Sequence, residues 1–124
     1  MLAPMVLQNN ILASAMQASV VRNDVINNNI ANAETPGFKR KTVEFENSLR
    51  KAVETAKKTG VFDFSRVRTS ISVAQPGFNY RIDENNVDPE LEMSALYQNS
   101  VRYDTLAGSV INNYQRINMV LNAR

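Results

Sequence analysis

Neither cysteine nor histidine occurs anywhere in the 124 residues. Without cysteine there are no disulfides, no thiolate metal sites and no thiol nucleophile. Without histidine the chain lacks the commonest general base and the usual metal ligand. Tryptophan is missing as well, and aromatics make up only 7% of the chain. The four glycines, at 37, 60, 77 and 108, are too scattered to build a phosphate-cradling loop. No run approaches the ~20 apolar residues of a membrane span. The opening "MLAPMVLQNNILASAM" has no positive leading region, and Gln8, Asn9 and Asn10 interrupt it, so no cleaved secretory signal is expected.

Net charge is +2 and the pI about 9.1. Basic residues are unevenly spread: residues 1–33 hold only Arg22 against Asp24, while 34–60 hold seven Lys and Arg against four Glu. No basic stripe carries interleaved aromatics, which argues against nucleic acid as a partner. A chain of this length is one domain at most.

Periodicity divides it into segments and predicts a mainly α fold. Residues 1–33 form an N-terminal core helix. In it Ile11, Ser14, Ala18, Val21, Val25, Asn28 and Asn32 follow alternating steps of three and four, with Ala15 and Ile26 widening the stripe. Thr35-Pro36-Gly37 stops it, and 34–43 is a turn followed by a basic linker. Residues 44–60 read as a short helix with Phe45, Leu49, Ala52 and Ala56 on one face and Gly60 as its cap. Residues 61–87 read as a small extended or β-rich insert. Val67, Thr69, Ile71 and Val73 alternate with polar residues, and "FNYRI" at 78–82 is a candidate second strand.

Residues 88–124 form the C-terminal core helix, with Asp88 as N-cap and Pro89 in the first turn. Its predicted seam is Met93, Leu96, Ser100, Tyr103, Ala107, Val110, Tyr114, Ile117 and Leu121. At 1.5 Å per residue this rod is roughly 50 Å long and needs a partner helix. The N-terminal helix, folding back as an antiparallel coiled coil, is the obvious one.

Candidate chemistry is thin. Glu90 and Glu92 lie two apart and do not face each other; an acid pair there complements the helix dipole. Asp83, Glu84, Asn85, Asn86 and Asp88 cluster oxygen donors but lack the spacing of a calcium loop, so a turn leading into a cap is the simpler reading. No catalytic, cofactor-binding or metal site is expected, and the chain does not read as an enzyme. Lys39-Arg40-Lys41 is either a solvated run or an anionic contact. Asparagine is the unusual feature: sixteen of 124 residues, seven of them between 9 and 32. They are either the polar solvent face of a surface helix or, at seam positions such as Asn28 and Asn32, amides that fix register by hydrogen bonding between packed helices; the second reading is preferred.

The stretch "NNNIANAETPGFKR" resembles the N-terminal signature of flagellar axial proteins, the rod, hook and hook-associated subunits. Asn29, Ile30, Ala31, Asn32, Thr35, Pro36, Gly37 and Phe38 match it. A second block, "NNVDPELEMSALYQNSVRYDTL", is similar to the C-terminal signature of the short rod proteins, through Asn86, Val87, Asp88, Glu90, Glu92, Met93, Leu96, Asn99, Tyr103 and Leu106. The middle leaves no room for the large β-domain of distal rod and hook proteins, so the chain looks most like the proximal rod subunits.

The resemblance implies a structural subunit of the basal-body rod. It implies type III export from the cytoplasm without a cleaved signal, a place spanning the periplasm, and helical self-association. Implied partners are other rod proteins and the motor-ring and export-gate proteins at the rod base, with no cofactor and no direct membrane insertion. The alternative class is a small helical-hairpin adaptor or flagellar secretion chaperone.

Overall fold

The computed structural model describes residues 2–74 and 81–123. In chain order these form α1 (Leu2–Ala31), β1 (Lys41–Glu44), α2 (Glu46–Thr59), a single 3-10 turn at Phe64–Arg66, β2 (Ser70–Val73) and α3 (Pro89–Asn122). At 30 and 34 residues, α1 and α3 are the two long elements. They lie against each other as an antiparallel pair. The direction can be read from three side-chain contacts in turn: Asn9 with Asn113, Ser19 with Asn99, and Asn29 with Glu92. Going up α1 is going down α3.

The caps follow the sequence. Asp88 accepts hydrogen bonds from the Glu90 and Leu91 amides at 3.0 and 3.4 Å, and Pro89 occupies the first helical position where no N–H is needed. Gly60 closes α2 at φ +76°, donating its N–H to the Ala56 carbonyl at 2.8 Å. Phe45 and Ala52 are buried and Leu49 and Ala56 half-buried on the predicted inner face of α2.

The small sheet is where the fold departs from expectation. β2 covers only the end of the alternating stretch, and its antiparallel partner is Lys41–Glu44, with Thr42 opposite Ser72 and Val43 opposite Ile71. Those partner residues were expected in the basic linker and the head of the short helix. Expectation placed the second strand at 78–82. Residues 78–80 of that stretch lie outside the described residues, and Arg81 and Ile82 sit in a bend and turn. Only side-chain alternation signals a strand from sequence, and a four-residue strand with one such pair gives too little of it.

The α1–α3 seam is rotated from the predicted one. On α3 the fully buried residues are Glu92, Asn99 and Asn113, not Met93, Ser100 and Tyr114. The second predicted row fares better, with Leu96, Val110 and Ile117 half-buried. On α1, Ala18, Ser19, Val25, Ile26 and Asn29 are buried, whereas Asn28 is exposed. Small residues at 18 and 19 let the backbones come close, and amides then reach backbone carbonyls across the gap: Asn99 Nδ2 donates to the Ser19 carbonyl at 2.8 Å. Apolar residues are thereby turned outward. Met93, Tyr97, Val101, Tyr114 and Leu121 all stand between 49% and 73% exposed.

The chain presents 8764 Å² of surface, against about 6,700 Å² for a compact monomer of its mass. The excess belongs to a thin rod with one apolar side uncovered.

One ionic cluster ties α2 to this rod. Glu46 accepts from Arg22 of α1 at 2.8 Å and from Arg102 of α3 at 3.0 Å. Burial alone would raise the Glu46 carboxyl, but its own backbone N–H and the two guanidiniums outweigh that and hold it below its ordinary 4.5. A depressed folded value means the stabilisation is present above pH 4.5 and is lost as pH falls through the folded value. Glu46→Gln should therefore cost about 0.5 kcal/mol at neutral pH, the scale of a solvent-exposed pair. Urea unfolding of variant and parent should converge as pH is lowered below that window.

Candidate assembly site

The two signature blocks meet at the end of the helix pair where α1 stops and α3 begins. Their junction is a polar network with almost no solvent in it. Asn29 and Glu92 are both 0% exposed. Asn29 Nδ2 donates to Glu92 Oε2 at 3.0 Å and to the Lys41 carbonyl at 2.8 Å, while its Oδ1 accepts from the Lys41 N–H at 2.9 Å. One amide thus joins α1, β1 and α3. The guanidinium of Arg40 binds the other carboxylate oxygen of Glu92. Arg40 is held in turn through its own N–H, which donates to Asn86 Oδ1 at 2.6 Å.

Asn85 secures the turn that follows α1. Asn85 Nδ2 donates to the carbonyls of Asn32, Ala33 and Thr35 at 3.0, 3.0 and 2.8 Å, and its Oδ1 accepts from the Val87 N–H at 2.8 Å. Arg81 adds a guanidinium hydrogen bond to the Ala33 carbonyl at 3.1 Å. The chain then turns through Thr35-Pro36-Gly37. The Phe38 N–H returns to the Thr35 carbonyl at 3.3 Å, with Pro36 and then Gly37 between them, and Gly37 sits at φ +72°. That is the arrangement of a type II turn, which requires a positive φ at its third residue. The Gly37 N–H also reaches the Asp83 carbonyl at 2.8 Å, so the turn is pinned to the far block.

The sequence-predicted residues fall into four sets. Asn29, Asn86, Val87, Glu92 and Asn99 are drawn into the junction or the seam. Asn32 belongs to the helix end: its Nδ2 donates to the Asn28 carbonyl at 2.8 Å and its Oδ1 accepts from the Thr35 hydroxyl at 3.3 Å. Among the described residues it makes no interhelical bond, nor does the exposed Asn28 side chain; at this end of α1 it is Asn29 that reaches α3. Ile30, Phe38, Leu96 and Leu106 are half-buried around this frame. Ala31, Thr35, Pro36, Gly37, Asp88, Glu90, Met93 and Tyr103 face outward. The Lys41 ammonium lies 5.8 Å over the Phe38 ring.

Arg40, Asn85 and Ser19 carry the network and were not singled out for it. Asn85 and Asn86 form a doublet just ahead of the Val-Asp-Pro cap, and that doublet was the available signal. Its two amides go to different elements, which sequence spacing does not reveal. Asp83, one of the clustered oxygen donors ahead of the cap, accepts the Asn85 N–H at 3.2 Å in that turn. Among the described residues no group of three or more acidic side chains is placed to hold a metal ion, and no helix is long and apolar enough to cross a membrane.

A long antiparallel helix pair, knitted at one end by paired N- and C-terminal signatures and apolar along an outer stripe, defines a filament-type assembly subunit. Residues 10–39 match the family model described as "Flagella basal body rod protein". The chain is 32% identical to flagellar basal body rod protein FlgB of Bacillus subtilis over 89% of both chains. It is 30% identical to FlgB of Borreliella burgdorferi, over 82% of this chain and 85% of that one. The longer FlgG rod protein of Caulobacter vibrioides is 39% identical over 68% of this chain but only 33% of its own length. The chain belongs to the flagellar basal body rod protein family, on the side of its FlgB members.

Replacing Asn85 with Asp sets a carboxylate against three carbonyl oxygens without changing shape. Asn85→Asp should destabilise the fold by about 3 kcal/mol or more, since it buries an unpaired carboxylate among acceptors. Asn28→Asp, on an exposed position, should stay within about 0.5 kcal/mol of the parent. Denaturant midpoints at neutral pH compare the two.

Proposed function

We propose that this chain is a structural subunit of the bacterial flagellar basal-body rod at its proximal end. Copies and related rod proteins pack helically into a drive shaft that carries torque from the motor ring to the hook. The observation that carries this reading is the outward apolar side of α3 on a helix pair knitted by its own polar network. Met93, Tyr97, Ile111, Tyr114 and Leu121 are each more than half exposed, and large apolar side chains turned outward in such number along one helix mark a protein contact. On this reading the stripe meets a different face of the next subunit, a heterologous contact. Contacts of that kind that do not close generate a helix of subunits. Relatives named as rod proteins along most of the chain support the same reading.

On this reading the chain is exported through the flagellar type III apparatus and assembles in the periplasm. It meets the motor-ring and export-gate proteins at the rod base. The helix ends beyond Asn9 and Asn113 have few internal partners, and they gain protection when neighbours cover them. The adaptor alternative uses the same apolar stripe to hold one client.

Deletion of the gene separates the two readings. Loss of rod and hook together is expected; loss of one secreted client with an intact rod would overturn the proposal. Gly37→Val should be exported normally yet build few rods. A β-branched residue at φ +72° is strained by roughly 1–2 kcal/mol even though nothing crowds the added Cβ. Normal swimming by that variant would remove the turn from the argument.

A further inference from the structure

The small sheet has two unlike edges. Lys41 lies opposite Val73 and Val43 opposite Ile71, and one step beyond them the Ala74 N–H donates to the Arg40 carbonyl at 2.8 Å. Bonded and non-bonded pairs alternate along an antiparallel ladder. The bond between Arg40 and Ala74 therefore makes Thr42 with Ser72, and Glu44 with Ser70, the other bonded pairs. Lys41 and Val43 turn their backbone groups out on one side of the sheet, and Ile71 and Val73 turn theirs out on the other. On the β1 side α1 answers them. Asn29 binds both the N–H and the carbonyl of Lys41, at 2.9 and 2.8 Å, and Arg22 donates to the Val43 carbonyl at 3.4 Å. On the β2 side no hydrogen bond among the described residues reaches the backbone of Ile71 or Val73. Both side chains are exposed there, at 55% and 56%.

An open strand edge is a template for another chain, and folded proteins guard it with charge, proline or a bulge. Ser70–Val73 carries neither charge nor proline, and only its shortness limits it. We propose that β2 receives an extended segment of a neighbouring rod subunit, which adds a third strand to the sheet across the subunit boundary. This contact rests on the rod reading above and supplies the chemistry of one of its joints. Ile71 and Val73 offer two donors and two acceptors, repeating about every 6.8 Å along the strand, which is the spacing of another extended backbone. A helix has already used its own backbone groups, and a bound ion answers only one sign. β-branched or aromatic side chains on the incoming segment pack beside Ile71 and Val73. A copy cannot bring β2 itself, because that pairing is two-fold symmetric, closes after two chains and does not repeat along a rod. Nor can it bring β1, whose outer edge α1 holds. A copy therefore contributes a segment from outside its own sheet.

Hydrogen exchange on the full-length parent, before and after assembly, tests this directly. In the purified subunit the Ile71 and Val73 amides should exchange close to unprotected rates. In isolated basal bodies they should slow by about tenfold or more, and unchanged exchange would overturn the proposal. Protection in the purified protein together with a doubled mass would also overturn it, since β2 then pairs with β2 of a second copy. A second measurement uses Val73→Pro, which deletes one outward N–H and no ladder bond, a placement that an edge strand tolerates. Val73→Thr keeps both the N–H and the branched Cβ and serves as control. Each purified variant should match the parent's circular dichroism and denaturant midpoint, and each should be exported. Rod number and swimming should fall at least several-fold with Val73→Pro and stay at the parent's level with Val73→Thr. Normal rods built by Val73→Pro would remove the strand contact and leave the rod reading intact. Rods that persist after deletion of the gene would instead remove the rod reading itself.

Discussion

Glu92 is a charged side chain with no exposure to water, set between two long helices. Stranding a carboxylate there costs several kcal/mol unless partners replace its solvent. Arg40 and Asn29 are those partners, and neither is available by chance. Asn29 must be on the last turns of α1, facing α3. Arg40 must be placed by a turn that brings the chain back across the helix end. The register of α1 on α3, the geometry of Thr35-Pro36-Gly37 and the start of β1 are therefore conditions for burying one carboxylate. A slip of one residue along either helix would leave it unpaired.

From this follows the unusual composition. An apolar seam tolerates neighbouring registers, because hydrophobic contact is non-directional. Amides and a carboxylate do not tolerate them. Asn9 with Asn113, Asn99 with the Ser19 carbonyl, and Asn29 with Glu92 are three separate checks on a single alignment. The accompanying core is small: Ala18, Val25, Ile26, Ala33, Phe45, Ala52 and Val87 are the buried hydrophobic residues among those described. Directional bonds specify the pairing, and apolar surface is held back for contacts outside the chain.

That allocation explains what could be read from the sequence and what could not. The lengths of α1 and α3, the caps at Asp88, Pro89 and Gly60, and the inner face of α2 depend on local rules and were legible. The seam of α3 was not. Period counting assigns the apolar row 93, 100, 107, 114 to the partner helix, since it takes burial to follow hydrophobicity. Here the adjacent row, Glu92, Asn99, Leu106 and Asn113, faces α1 instead. A chain built for assembly has two faces to cover, and periodicity alone cannot say which is covered first. The same limit applied to Asn28 and Asn29, where one residue separates an exposed amide from the bridging one.

Polar specification and apolar reserve also bear on the order of events. The network at 29, 40, 85, 86 and 92 closes within one chain, so it needs no neighbour to be satisfied. The outer stripe does need one. A subunit with its polar junction already formed presents that stripe at a fixed angle to the helix pair. The ordering entropy of aligning α1 with α3 has then been met before any neighbour binds, and association has less left to overcome. Asn29, Asn86 and Glu92 of the signatures lie at the junction for that reason, while Met93 joins the stripe: the stripe requires only apolar residues of suitable shape, and the junction requires particular side chains at particular atoms.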